Sequence, residues 1–452
     1  MIRGAKQLLT TQFMVTHPRG FVHNDPGTGK TIATIDAYAG TKKGRMLVFA
    51  PLSILQPSWG NDIEKVGGLS YAIAHGTAKK RTEAMLSGAD IVITNHDAVN
   101  WIIKDKKRLL AGFSHCAVDE YSAYKNRSAQ RSKALQQITN SMEYLWLLNG
   151  TPGAMGLTDI WFPALLADRG MRLGTSFWAF RSQVCRPVQN GPRAEHIEWV
   201  DRPEAIIEVA DKLKDITIRF TLDECEDMPE NIVTPMMLDM PAWVKTAYDA
   251  MLDEAMLEVG DRKVTAIHAG AKAQKLCQIL SGAVYNQFGD AVRIHSGRYD
   301  LVADLIEARE QCVVAYNYKH EIEGLTDVFK RRGISYGIIN GDASKTQREK
   351  CVEDFQAGRL RVCILHPQSG AHGLTLTEGT TTIWASPPKS ADWYIQLNAR
   401  IHRKGQKRRT ETIQIAYKNS LETKAYERLE QRLDNLHEFL DYMVQFRRTA
   451  HA

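Results

Sequence analysis

The chain predicts an α/β protein of two lobes, each built on a mostly parallel sheet flanked by helices. Three observations carry that expectation. At 452 residues the chain is too long for one ordinary domain and suits two to three. Short, continuous apolar runs alternate with helical stretches in the first third, and the same texture returns towards the C-terminus. Between the two blocks, roughly 171 to 299, the texture turns proline-rich and then helical.

In the first block the runs are FVH (21–23), MLVFAP (46–51), DIVITN (90–95), CAVDE (116–120) and YLWLLNGT (144–151). Unbroken apolar runs of this length suit strands covered on both faces, which is what a parallel sheet between helices requires. The middle stretch has prolines at 187, 192, 203, 229, 235 and 241, then helical patterns from Ala242 to about Val259 and from Ala271 to Leu280. It reads as a helical insert and hinge. The second block supplies CVVAYN (312–317), ISYGIIN (334–340), RVCILHP (361–367), TTTIWAS (380–386) and TIQIAY (412–417). In the tail, Leu429, Leu433, Leu436, Leu440 and Met443 repeat at helical spacing, which suits a long helix docked on a lobe. The expected division is therefore 1–170, 171–299 and 300–452.

Composition excludes several classes. Hydrophobic residues at 44% and charged residues at 24% are those of a soluble globular enzyme. No apolar stretch approaches the roughly 20 residues that cross a bilayer. The opening MIRGAKQLLTTQFMV lacks the continuous apolar core of a signal peptide and reads as mature sequence. Seven scattered cysteines without a CxxC pair argue against a zinc site, and their odd number suits a reducing cytoplasm, bacterial or that of a phage-infected host. The net charge of +6 is mild. Six basic residues crowd into 400–409, a pattern that by itself is a solvated face.

The chemistry begins at NDPGTGKT (24–31), which follows the first apolar run and opens a helix with Ile32, Ile35 and Ala39 on one face. Strand, glycine-rich turn and helix start are what a phosphate-binding loop needs. Asp25, Pro26, Gly27, Thr28 and Gly29 wrap the phosphates, backbone N–H groups at the helix start meet the anion, Lys30 reaches the terminal phosphates, and the Thr31 hydroxyl ligates Mg²⁺. The pattern departs from the common spelling at Asn24, where Gly or Ala is expected. AVDE (117–120) then supplies Asp119 as the second metal ligand and Glu120 to polarise the attacking water. The motif alone is weak; about 90 residues after a phosphate loop, on its own strand, it points to ATP hydrolysis. Gln396, Arg400 and Arg403 follow at spacings of four and three, which predicts one helical face ending at Gly405. The first lobe offers no arginine to neutralise charge growing on a γ-phosphate, and an arginine from a second lobe would do so.

In order and spelling these motifs resemble the SWI/SNF-type ATPases of helicase superfamily 2. NDPGTGKT is similar to motif I, LVFAPLSILQPSW (47–59) to Ia, VITNHDAV (92–99) to Ib, DEYSAYKN (119–126) to II and LLNGTP (147–152) to III. INGDASKTQREKCVEDFQAG (339–358) resembles the segment ahead of motif V, SGAHGLTLTEGTTTIWASPP (369–388) motif V, and QLNARIHRKGQ (396–406) motif VI with its closing Gly-Gln. The resemblance implies two RecA-like lobes that use ATP and Mg²⁺, and compact build places the chain beside the small versions carried by phages and bacteria. It also implies that Gln7 reads adenine, that Gly150 and Thr151 couple the site to the lobe interface, and that Gly373, Leu374 and Thr375 lie where phosphate and DNA contacts meet. Ser53, Thr94 and Asn340 become candidates for gripping a phosphate backbone. One departure stands out: the family's motif II commonly ends in a histidine, and here Tyr121 and Ser122 occupy the last two places, which leaves inter-lobe coupling open.

The expected function is an ATP-driven motor on DNA, duplex more than single strands, because the family mostly tracks along duplex without melting it. A strand-separating helicase of replication, recombination or repair is the alternative, with a phosphate-loop ATPase that acts on no nucleic acid behind it. No nuclease motif is present, and nothing in the chain identifies a partner protein.

Overall fold

The computed structural model describes residues 2–150, 156–189, 197–225, 227–260, 266–286, 288–370 and 374–450. Contacts divide the chain into two compact units, Met1–Asp227 with Arg432–Ala452, and Met228–Gln431.

The first unit is built on a seven-stranded sheet, all of its recorded pairings parallel: β1 (Arg19–Val22), β2 (Arg45–Ala50), β3 (Tyr71–Ala74), β4 (Ile91–Asn95), β5 (Phe113–Asp119), β6 (Tyr144–Leu148) and, after the hairpin of β7 (Cys185–Gln189) and β8 (Ile197–Asp201), β9 (Thr217–Ile218). The strand order β3-β4-β2-β5-β6-β1-β9 puts β5 at the middle and β1 two strands away, and every residue of β2, β4 and β6 after the first position is buried. Trp59, Trp146, Tyr38, Val48 and Ile93 form its core. All five apolar runs of the first block are strands. The two strands of this sheet that sequence reasoning missed, β3 and β9, are short edge strands, where one side of the ladder is open and the apolar pattern is weakest.

The second unit carries β10 (Asn231–Leu238), the small hairpin β11 (Ala283–Tyr285) and β12 (Ala291–Arg293), β13 (Cys312–Ala315), β14 (Tyr336–Ile339), β15 (Val362–Leu365), β16 (Thr381–Trp384) and β17 (Thr410–Tyr417). Its main sheet, β10-β17-β16-β13-β15-β14, is also parallel throughout. Val314, Ile364, Ile383, Ile413 and Phe329 fill the core. The helices Ala242–Gly260 and Ala266–Ser281 add a satellite cluster around Val244, Tyr248, Leu276 and Leu280. The C-terminal helix starts at Leu421, and its Glu422 forms a fully buried two-point bond with Arg298, at 2.6 and 2.8 Å.

The division differs from the expected one. Residues up to 225 stay with the first unit because β9 pairs with β1, and the stretch from 231 joins the second because β10 pairs along its full length with β17. Pro235 hid β10, since a proline argues against a central strand. β10 is an edge strand with a single neighbour, so the missing N–H costs no ladder bond there.

Candidate functional site

β1 delivers residues 23–29 to the C-terminal edge of the first sheet, the edge at which parallel α/β sheets bind ligands. The helix Lys30–Thr41 begins immediately after, so its first free N–H groups border the loop. Gly29 closes the turn in the left-handed region at φ 84°, and a Cβ there would stand 1.8 Å from Nε2 of Gln7. Only glycine meets both demands, and the clash places the side chain of Gln7 directly against the loop.

The loop is braced by polar side chains. Asn24, the departure from the common spelling, donates from Nδ2 to Thr10 Oγ1 at 2.9 Å, and its Oδ1 accepts from the Phe220 N–H at 2.9 Å. It thus ties the loop to the N-terminal helix Ala5–Thr16 and to the segment after β9, which neither Gly nor Ala could do. Asp25 accepts from Arg219 Nη1 at 2.8 Å and from the Leu222 N–H at 3.0 Å, while the same guanidinium donates to the His23 carbonyl at 2.7 Å. Thr28 donates to the Asp25 carbonyl at 2.7 Å. Lys30 Nζ lies folded over the loop, donating to the carbonyls of Asn24 at 2.7 Å and Asp25 at 3.1 Å. Burial pulls the Lys30 ammonium below its ordinary value, against the opposing pull of Asp119, Glu120 and Asp25.

Asp119 is the last residue of β5, two strands from β1 in the sheet. Its Oδ2 accepts from Trp59 Nε1 at 2.9 Å. Burial raises the carboxyl, opposed by Lys30 and by that indole bond. Ser58, next to Trp59, has its hydroxyl 3.4 Å from that of Thr31. One segment of chain therefore touches both residues expected to ligate the metal. Glu120 follows in the left-handed region, φ 57° and ψ 55°, a conformation that costs a non-glycine residue about 1–3 kcal/mol and that accumulates at functional sites. Tyr121 holds the turn: its buried hydroxyl bonds His23 Nε2 at 2.8 Å. The residue that replaces the expected pattern after the Asp-Glu pair thus ties the carboxylate strand to the base of the phosphate loop. Burial keeps His23 well below its ordinary range, with Arg219 and Lys30 adding to the effect, so it is neutral at physiological pH.

In the second unit, Gln396 is buried on the helix Ala391–Asn398, but that helix stops two residues before Arg400. The expectation of one helical face for Gln396, Arg400 and Arg403 is corrected. A non-helical turn does the work instead, and both arginines converge on one atom: Arg400 Nη1 and Arg403 Nη1 donate to the Leu374 carbonyl at 3.2 and 2.8 Å. Arg400 Nε also returns to the Gln396 carbonyl at 2.7 Å. Burial lowers Arg403 from its ordinary value. The closing Gly-Gln has a structural purpose. Gly405 turns the chain at φ 99°, and Gln406 inserts its amide so that Nε2 donates to the carbonyls of Thr377, Gly379 and Ile401 while Oε1 accepts from the N–H groups of Lys407 and Arg408.

Other expected residues fare unevenly. Gly373 and Thr151 lie outside the described residues. Gly150 packs against the ring of Pro26, which leaves no room for a Cβ. Ser53 is exposed just beyond Pro51. Thr94 is fully buried with its hydroxyl on the Ala74 carbonyl, a strand-end bond that leaves nothing for a phosphate. The Asn340 side chain caps its own turn, accepting from the N–H groups of Asp342 and Ala343. Reading the sequence alone missed Arg219 and the Gln406 staple. Arg219 carries no local signal, being one arginine in an otherwise ordinary IRFTL; Gln406 was visible as the end of a motif but not as a hydrogen-bond hub.

These residues fit a nucleoside triphosphate with a divalent cation: free N–H groups at a helix start, a lysine over the loop, and a hydroxyl and carboxylate held by one segment. Two family models match the chain. The SNF2-related domain profile matches residues 5–284, and the helicase conserved C-terminal domain profile matches 297–405. The protein p41 of Acyrthosiphon pisum secondary endosymbiont phage 1 is 28% identical over 370 residues, 78% of either chain. Nuclear protein STH1/NPS1 of Saccharomyces cerevisiae is 23% identical over 95% of this chain, which spans 34% of the yeast protein's length. Among solved structures, the Sulfolobus solfataricus SWI2/SNF2 ATPase core in complex with dsDNA is 19% identical, with a TM-score of 0.44 over 94% of this chain and 90% of that one.

Proposed function

The chain belongs to the SNF2-related family and is an ATP-hydrolysing, helicase-like enzyme, and from that premise we propose that it is a translocase that moves along duplex DNA. The observation that carries the reading is the meeting of Lys30, Asp119 and Glu120 at the carboxyl edge of one sheet, braced by Asn24, Arg219 and Trp59. Thr31 and Asp119 would hold Mg²⁺, which supplies charge neutralisation on the phosphates. Lys30 leaves the loop carbonyls for the terminal phosphates, an exchange of neutral acceptors for charged ones that favours binding. Glu120, aimed by its left-handed backbone, orients and deprotonates the attacking water. Arg400 and Arg403 exchange the Leu374 carbonyl for the γ-phosphate as charge grows there.

Movement requires two phosphate-gripping surfaces whose separation changes with the nucleotide state, and the two-unit build with one catalytic part in each supports that reading. A grip on the backbone gives little sequence preference. The test is ATP turnover with no polynucleotide, with single-stranded DNA, with duplex DNA and with RNA, followed by displacement of a third strand from a duplex. Stimulation by duplex together with third-strand displacement is expected. Separation of a forked duplex without third-strand displacement would make the enzyme a strand-separating helicase, and turnover indifferent to every polynucleotide would remove nucleic acid from the account.

A further inference from the structure

A ladder of alternating arginines and indoles on the first unit lies outside every motif used above. Arg127 follows the motif II turn, and its guanidinium carbon sits 4.2 Å from the ring centroid of Phe177 and 4.8 Å from that of Trp178. Arg181, one turn on from Trp178 in the helix Phe177–Val184, lies 4.5 Å from the same indole and 3.9 Å from the Trp199 ring on β8. Phe177 roots the ladder by packing its edge on Trp161 at 5.5 Å. Trp178 is 57% exposed.

Two features make this more than packing. First, neither arginine is tied down by a direct ion pair among the described residues, and the neighbouring carboxylates are engaged: Asp159 by Lys125 at 3.2 Å, Glu204 by Arg202 at 3.3 Å, and Asp201 by the Leu157 N–H and the Cys185 thiol. Two like charges held against one indole repel, and the ring offsets that only in part. Second, a guanidinium held over a ring keeps N–H donors that a phosphate can take, and Arg181 Nε is buried with no hydrogen-bond partner. The ladder thus presents positive charge and hydrogen-bond donors beside an exposed indole.

We propose that the Arg127–Trp178–Arg181–Trp199 ladder binds the phosphate backbone of duplex DNA, as a sequence-independent contact added to those of the motifs. The inference rests on the translocase reading above. Neutralising a phosphate releases counterions, so each contact contributes about 0.9 to the slope of log affinity against log salt. The experiment is fluorescence anisotropy of a labelled blunt duplex with the full chain across a salt series. It compares the intact protein with Arg127→Gln/Arg181→Gln, which keeps flat amides on the rings, and with Arg127→Lys/Arg181→Lys, which restores charge. A slope lower by about 1–2 for the Gln pair, recovered by the Lys pair, is expected, with thermal melting of both variants within a few degrees of the parent. A Gln pair that binds with the parent's slope overturns the ladder while leaving the translocase standing, and so does a Gln pair that melts early yet keeps that slope. An intact chain that binds no duplex at any salt overturns both.

Discussion

The phosphate loop of the first unit and the arginine turn of the second are both built by hydrogen bonds to backbone, yet they are held in opposite ways. In the loop, dedicated side chains brace the backbone: Asn24 and Asp25 within it, and Arg219 from beyond it, join it to the N-terminal helix and to the segment after β9. In the turn, Gln406 braces the backbone, while Arg400 and Arg403 share the carbonyl of Leu374 and Arg400 also reaches that of Gln396. The first arrangement fixes a cradle before the ligand arrives, so little is lost to ordering on binding. The second holds two cations on neutral backbone acceptors, for which a phosphate would compete. A braced cradle and a pair of charges on neutral acceptors are therefore expected to respond differently to substitution.

Perturbations of the two regions should therefore separate. The largest effect belongs to Lys30→Ala, which removes the loop's only lysine: ATP turnover should fall by about 10³-fold, with fluorescent-nucleotide binding weakened and the melting temperature little changed. Unchanged turnover would mean that the cradle is not the reacting site. Next comes Gln406→Ala. It strips a donor from the carbonyls of Thr377, Gly379 and Ile401 and should destabilise the second unit by about 2–4 kcal/mol. Hydrogen exchange should localise the loss to residues 374–409 and leave the phosphate loop protected; uniform loss in both units would erase the distinction drawn here. Asn24→Gly, which restores the common spelling, should be milder. Losing its bonds to Thr10 and Phe220 costs about 1–2 kcal/mol, and the KM for ATP should rise while kcat changes less, since the loop loses its bracing and not its chemistry.

Acid should not discriminate between the regions. Burial pushes His115 in the first unit and His295 and His320 in the second down to about 4, from an ordinary value of 6.5. Above pH 6.5 these groups are neutral folded or unfolded and contribute nothing to a pH dependence. Between 6.5 and 4 only the unfolded chain takes up the protons, so stability must decline as pH falls through that window. Urea midpoints measured across it should drop in both units, and a flat profile would show that these imidazoles are solvated.

The same contrast explains what could be read without coordinates. Central strands were legible because burial on both faces leaves an unbroken apolar signature, as in MLVFA of β2 and VCIL of β15. Edge strands were not: β10 is half exposed and interrupted by Pro235, and β9 is two residues long. At the site, the loop, Asp119 and Glu120 were legible because phosphate chemistry demands those residue types in that order. What braces them was not, because Arg219 reaches the loop from nearly two hundred residues away and a bond of that separation leaves no spacing to notice. The arginine turn fell between the two. Spacings of four and three correctly suggested convergence, but the helix ends at Asn398, and the convergence arises from a turn that Gly405 and Gln406 close.

The central proposal is that Arg403 neutralises charge growing on the γ-phosphate of ATP. Single-turnover ATP hydrolysis by Arg403→Ala at saturating duplex DNA, with nucleotide affinity measured separately, tests it most directly. The account predicts affinity within a few-fold of the parent and a rate lower by about 10³-fold. A variant that hydrolyses ATP at the parental rate would contradict it.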